Sequence, residues 1–118
     1  MKMTVNGSIE VLRWKENITL KNIEQFRSTM NQLVVDSHEF LILNLTETNY
    51  INSAGLGIIA DSVMHARKNQ KELVITGIEE AVREIFTIVK FTSFMKIFDS
   101  EKEAIAYFMV DRDEKENI

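Results

Sequence analysis

Two hydrophobic periods alternate along this chain. In some stretches the apolar side chains fall on every second residue or run almost unbroken; in others they recur every three or four. Ile9-Glu-Val-Leu-Arg-Trp14 reads as a strand with Ile9 and Val11 on one face and Leu12 and Trp14 on the other. Met3–Val5 is its expected partner strand, joined through Asn6-Gly7, a pair that tolerates the positive φ angles of a tight hairpin. Phe40-Leu-Ile-Leu-Asn-Leu45 is nearly continuous apolar, the pattern of a strand covered on both faces. Leu73–Thr76 is a further short buried strand, and Lys96-Ile-Phe98 is the fifth.

Helical periods fill the gaps. Ile23, Phe26, Met30, Leu33 and Val34 form one stripe, and Leu56, Ile59, Ala60, Val63 and Met64 a second. Arg67, Lys68 and Lys71 stand near the end of the second, where cations suit the helix dipole. Val82, Ile85, Phe86 and Val89 give a third stripe. A fourth, Ala104, Ile105 and Phe108, follows Ser100-Glu-Lys-Glu103. That segment predicts a capping box: Ser100 accepts from the Glu103 amide, and Glu103 reaches back to the Ser100 amide. The order β-β-α-β-α-β-α-β-α requires parallel crossovers. The expected architecture is therefore a single α/β domain, with a mixed central sheet of about five strands and about four helices.

Composition narrows the function. The chain has 118 residues, enough for a real core, and a net charge of −4, which argues against an electrostatic grip on nucleic acid or anionic lipid. It has no cysteine, which removes disulfides, thiolate metal sites and cysteine nucleophiles. Two histidines, His38 and His65, leave little material for a zinc site or a histidine-based triad. Asp61 and His65 share a helix face, but two ligands are too few for a metal centre. The start of the chain lacks the apolar run of a signal peptide. Its longest uncharged stretch, Thr48–Ala60, is too short and polar to span a bilayer, so a cytoplasmic setting is expected. The sequons at Asn6, Asn17 and Asn44 are then chance matches. Residues 1–110 form the expected domain, and the charged segment 111–118 reads as a frayed, solvated tail.

Chemistry concentrates in Tyr50-Ile-Asn-Ser-Ala-Gly-Leu-Gly-Ile-Ile-Ala60. A helix opening near Ser53 presents unpaired amides and a positive dipole end there. Gly55 and Gly57 lack side chains and would let another molecule's backbone approach. A hydroxyl in that place can accept a phosphoryl group; it can equally serve as an N-cap, which spacing alone favours. Gly55-x-Gly57-x-x-Ala60 matches a dinucleotide fingerprint, but the next strand closes on Thr76 and not on an acid. A phosphate-binding P-loop would need a lysine directly after its glycines. A hydrolase elbow would need glycine at Ile51.

Leu-Ile-Leu-Asn-Leu-Thr46 followed by Tyr-Ile-Asn-Ser-Ala-Gly-Leu-Gly57 resembles the signature of the STAS family, the anti-sigma factor antagonists. Phe94-Met-Lys-Ile-Phe-Asp-Ser-Glu-Lys-Glu-Ala104 resembles that family's closing strand and helix, and the resemblance covers about residues 3–110. It implies a partner-switching module with no catalytic residues and no cofactor of its own. The unphosphorylated form would bind an anti-sigma factor that is also a serine kinase. Phosphorylation, falling on Ser53, would release it, and a PP2C-type phosphatase would restore binding; ATP and Mg²⁺ belong to the kinase. Thr48, Asn52, Ser53, Ala54, Gly55, Leu56, Gly57 and Ile58 are the expected partner-binding residues. The Thr46–Asn49 connector is a further candidate, while Met64 reads as core. Asn52 and Thr19 stand where the family commonly carries acids. The alternatives are a STAS subunit docked on an ABC-transporter ATPase without phosphorylation, or a secretion or motility switch with another client.

Overall fold

The alternation of periods produces the element order it predicts. A computed structural model describes the backbone of residues 2–5, 7–35 and 38–116, and the side chains of these except 2, 3, 5 and 111–116. Strands β1 (Lys2–Val5) and β2 (Ile9–Arg13) form an antiparallel hairpin. Gly7 turns it at φ +71°, while Asn6, its expected turn partner, lies outside the described residues. Then follow α1 (Ile23–Val35), β3 (Phe40–Asn44), α2 (Ser53–Lys68), β4 (Glu72–Thr76) and α3 (Glu80–Ile88). A 3₁₀ turn at Phe91–Ser93, β5 (Ile97–Phe98) and α4 (Glu101–Glu116) complete the series.

The strands stand in the sheet in chain order, β1-β2-β3-β4-β5, and β2 to β5 are parallel. Right-handed crossovers that always advance the same way leave their helices on one face. Accordingly α1, α2 and α3 bury Phe26, Met30, Leu33, Ile59, Val63, Val82 and Phe86 against Leu12, Leu41, Leu43 and Ile75. The opposite face is covered by α4 alone, with Ala104 and Phe108 on Ile9, Val11, Phe40, Ile42 and Val74. The two-faced β2 and the doubly covered β3 are thus as their patterns predict.

Several local expectations differ from the structure. The buried stripe of α2 is Gly55, Ile58, Ile59, Ser62, Val63 and Ala66, about one residue out of phase with the predicted one. Met64, expected in the core, is 51% exposed. Ser62 disguises the buried face, and its hydroxyl tolerates burial by donating to the Ile58 carbonyl at 2.7 Å. Val89 does not extend the α3 stripe: it ends that helix and is exposed. Arg67 and Lys68 stand in the last turn of α2 as expected, whereas Lys71 lies beyond it and serves a neighbouring element. Lys71 Nζ donates to the Val34 carbonyl, supplying the cation that the last turn of α1 lacks. In the capping box the Glu103 amide donates to Ser100 Oγ as predicted, but the Glu103 carboxylate accepts from the Asp99 amide, one residue before the cap. The backbone of α4 continues to Glu116, through most of the segment read as a frayed tail; residues 117 and 118 lie outside the described residues.

One ion pair fixes α4 to the sheet. Arg13 donates Nε and Nη2 to the two carboxylate oxygens of Glu101 at 2.7 and 2.8 Å, and Asn44 Nδ2 donates to the same carboxylate. The Arg13 hydrogen bonds lead in holding the Glu101 carboxyl below its ordinary value; burial opposes them, and the Asn44 bond and the Arg13 charge add to them. A depressed carboxyl stabilises the fold above its unfolded pKa, near 4.3, and that stability is lost as pH falls through the folded value. Glu101→Gln is therefore expected to cost about 1 kcal/mol at neutral pH. Its deficit relative to wild type should shrink steadily in urea titrations carried below about pH 4. A deficit independent of pH would assign the cost to packing instead.

Candidate functional site

At the C-terminal end of the parallel strands, two loops are bound into one surface. Ile18, after β2, bridges Ile51, before α2: the Ile18 amide donates to the Tyr50 carbonyl at 2.9 Å and the Asn52 amide to the Ile18 carbonyl at 3.0 Å. Asn17 Oδ1 accepts from the amides of Asn49 and Tyr50, and its own carbonyl accepts from Asn22 Nδ2. Thr48 Oγ1 donates to the Glu16 carbonyl at 2.8 Å. These bonds satisfy connector backbone that has no sheet or helix partner. They also fix the segment that delivers α2.

Asn52, and not Ser53, is the N-cap. Its backbone is extended, its Oδ1 accepts from the Gly55 amide at 2.8 Å, and its carbonyl takes the first helical bond from Leu56. Ser53 is thereby released from capping and becomes the first residue of the helix. Its side chain is exposed, and its hydroxyl makes no hydrogen bond among the described residues. A free hydroxyl thus sits at the positive end of a sixteen-residue helix.

The eight expected partner-binding residues divide by helix phase. Ser53, Ala54 and Gly57 are exposed, and Asn52 and Leu56 are half-buried. Thr48, Gly55 and Ile58, expected at the partner surface, are buried in the free domain. For Gly55 the reason is steric: a Cβ there would lie 2.6 and 2.8 Å from the Cγ2 atoms of Ile18 and Ile51. The glycine lets the helix close onto the bridged loops. Gly57, two residues on, faces open space and offers the close backbone approach the sequence suggests. Both glycines lie inside α2, with the helix already begun at Ser53, whereas the dinucleotide fingerprint places its first glycine in the turn before the helix.

Two residues escaped sequence reasoning. Leu20 is 86% and Tyr50 52% exposed, and with Thr19, Lys21 and Asn52 they line an open, mainly apolar depression of about 460 Å³ next to the start of α2. Two large apolar side chains grouped in water make this depression a candidate interaction surface. Met64, exposed farther along α2, was read as core for the same phase error noted above. The only available signal was local: Leu20 and Tyr50 stand in loops, outside any apolar stripe. Asp61 and His65 are exposed one turn apart on α2. No helix among the described residues is long and apolar enough to cross a membrane.

Comparison with known proteins places this geometry. Residues 1–104 match the model of the STAS domain. BtrV of Bordetella bronchiseptica, named as a candidate anti-sigma factor antagonist, is 32% identical over 87 residues, covering 74% of this chain and 75% of BtrV. The anti-sigma-B factor antagonist of Staphylococcus aureus is 25% identical over 96 residues, covering 81% of each chain. Among solved structures, a candidate anti-sigma factor antagonist of Thermotoga maritima superposes with a TM-score of 0.83 at 17% identity, covering 91% and 92%. The phosphorylated Bacillus cell-fate determinant SpoIIAA gives 0.70 at 16%, covering 92% and 97%. The STAS domain of a Vibrio cholerae SulP transporter gives 0.71 at 13%, covering 93% and 88%.

Proposed function

The chain belongs to the STAS domain family, and on that premise we propose that it is a partner-switching anti-sigma factor antagonist of the cytoplasm. Its unphosphorylated form binds an anti-sigma factor that is also a serine kinase and so regulates transcription. Phosphorylation of Ser53 by that kinase releases it, and a PP2C-type phosphatase resets it. The chain acts as substrate and binding module, not as catalyst. One observation carries the reading: Asn52 takes over the cap, leaving the Ser53 hydroxyl exposed and unbonded at the helix N-terminus, beside Ala54, Gly57 and the Leu20–Tyr50 depression.

The physics of the step follows from that position. A phosphoryl group on Ser53 adds about −1.5 to −2 charge and three acceptor oxygens. Within the free domain this charge meets the positive end of α2, a favourable arrangement of about 0.3–1 kcal/mol, so the fold survives. Against a partner packed on Ala54 and Gly57, the same group must be desolvated and fills the space the glycine leaves. The penalty therefore falls on the complex and spares the domain. Asn52, in place of the family's common acid, keeps the capping oxygen while leaving the site one charge less negative.

A paired pull-down from the source organism's lysate tests this, with wild type and Ser53→Asp as baits. Wild type is expected to retain a kinase-like anti-sigma factor. Ser53→Asp should bind it at least about a hundredfold more weakly, a loss of about 2.7 kcal/mol. Incubation of the retained complex with ATP should place phosphate on the tryptic peptide containing Ser53. Equal recovery of transporter subunits by both baits would replace this reading with a structural STAS subunit, as the SulP neighbour would have it.

A further inference from the structure

A second surface lies at the other end of α2. Arg67 stands fourteen positions beyond Ser53, about 21 Å along the helix axis. There an open groove of about 560 Å³ runs along β5, the last strand of the sheet, between Arg67, Arg83, Ser93, Phe94 and Lys96. The Ile75 amide donates to the Lys96 carbonyl and the Gly77 amide to the Phe98 carbonyl. In a parallel ladder that alternation turns the N–H and C=O of Ile97 to the outer side, where no further strand of the described residues pairs. Edge strands usually carry some protection against added strands. This one is short, two residues, but an aromatic floor of half-buried Phe94 and Phe98 flanks it.

Cations gather on both sides of this edge in a chain whose net charge is −4. Arg67 donates to the Phe94 carbonyl and touches Met64 sulfur, with no carboxylate partner among the described residues. Lys96 holds its ammonium 5.5 Å from the centre of the Tyr107 ring, likewise without a carboxylate. Arg83 is paired with exposed Asp99 at 3.2 Å. Glu72 also lines the groove and keeps its charge; its carboxylate accepts from the Tyr107 hydroxyl, so that the lining carries three cations, Arg67, Arg83 and Lys96, against this one acid. Lys96 and Phe98 face α4, whereas Ile97, Arg67 and Arg83 lie toward α2 and α3.

The geometry points to a docking site for an extended acidic peptide segment of a partner, added as a strand to β5. Its main chain pairs with Ile97. Its side chains, alternating between the two faces, meet Arg67 and Arg83 on one and Lys96 on the other. The site is separate from Ser53 and independent of the switching proposal, so one molecule can hold two partners at once.

Titration of the full chain with a short dye-labelled peptide of consecutive glutamates, which as a strand presents carboxylates to both faces, and with its lysine counterpart, tests the proposal. The acidic probe should bind, weaken as salt is raised, and shift backbone amide resonances around Arg67 and from Thr92 to Phe98. Arg67→Glu and Lys96→Glu should each weaken it by at least about tenfold. Arg67 also bonds the groove wall, so Lys96→Glu, whose side chain bonds no backbone group, decides if Arg67→Glu misfolds. Equal binding of both probes, shifts centred on Ser53, indifference to Lys96→Glu, or no binding of the acidic probe would each overturn it.

Discussion

Gly55→Leu is expected to destabilise the domain by about 2–3 kcal/mol, while Gly57→Leu leaves it as stable as wild type or more so. The two glycines are two residues apart on one helix, and intrinsic propensity favours leucine at both by somewhat under ~1 kcal/mol. What separates them is packing. At Gly55 even the first carbon of a side chain would intrude on the Cγ2 atoms of Ile18 and Ile51, branched at Cβ and so restricted in χ1, which stand on backbone held by the bridge between their loops. At Gly57 an added Cβ meets no atom within 4 Å. Urea denaturation of the two variants checks the prediction. Partner capture supplies the complement: Gly57→Leu should lose the anti-sigma factor despite its intact fold. If Gly55→Leu proved as stable as wild type, the close approach of helix and loops would be wrong. If Gly57→Leu bound normally, the partner surface would lie elsewhere.

The second large effect belongs to the opposite face of the sheet. Phe108→Ala is expected to cost about 3–5 kcal/mol, as for other buried phenylalanine truncations, a large share of the 5–15 kcal/mol that holds such a domain together. Phe108 is fully buried and stacks on Phe40 with ring centroids 4.8 Å apart. Among the described residues of α4, Ala104 alone joins it as a fully buried contribution, and no second helix packs on this face to refill the space. Thermal melts should show a drop of many degrees. A loss under about 1 kcal/mol would mean that α4 is only loosely seated.

Much of the fold was legible because burial leaves a period in the sequence. β3 is covered on both faces and reads as an apolar run, and each crossover helix carries a stripe. What stayed hidden depended on partners distant in the chain. Asn17 and Asn44 read as chance sequons, yet one ties loops more than thirty residues apart and the other meets Glu101. No local pattern marks a polar side chain whose partner lies in another element. The phase of α2 was hidden for another reason: its buried face carries Gly55 and Ser62, residues that do not look buried, and its exposed face carries Met64. That phase decides which signature residues can touch a partner. The motif located the candidate site, and only the packing of Ile18 and Ile51 separated its buried residues from its exposed ones.

The coincidence of spatial and chain order among the strands bears on how the domain is made. A ribosome delivers β1 through β5 in the order in which they stand, so each new strand finds its neighbour already present at the growing edge. No strand has to be threaded between two others. The nascent sheet can also acquire its first three helices as they emerge. Only the far face must wait, its isoleucines, valines and Phe40 bare until the last helix leaves the exit tunnel. Over that interval the half-built domain is a client for any chaperone that recognises apolar sheet surface, and translation pausing before residue 101 would lengthen its exposure.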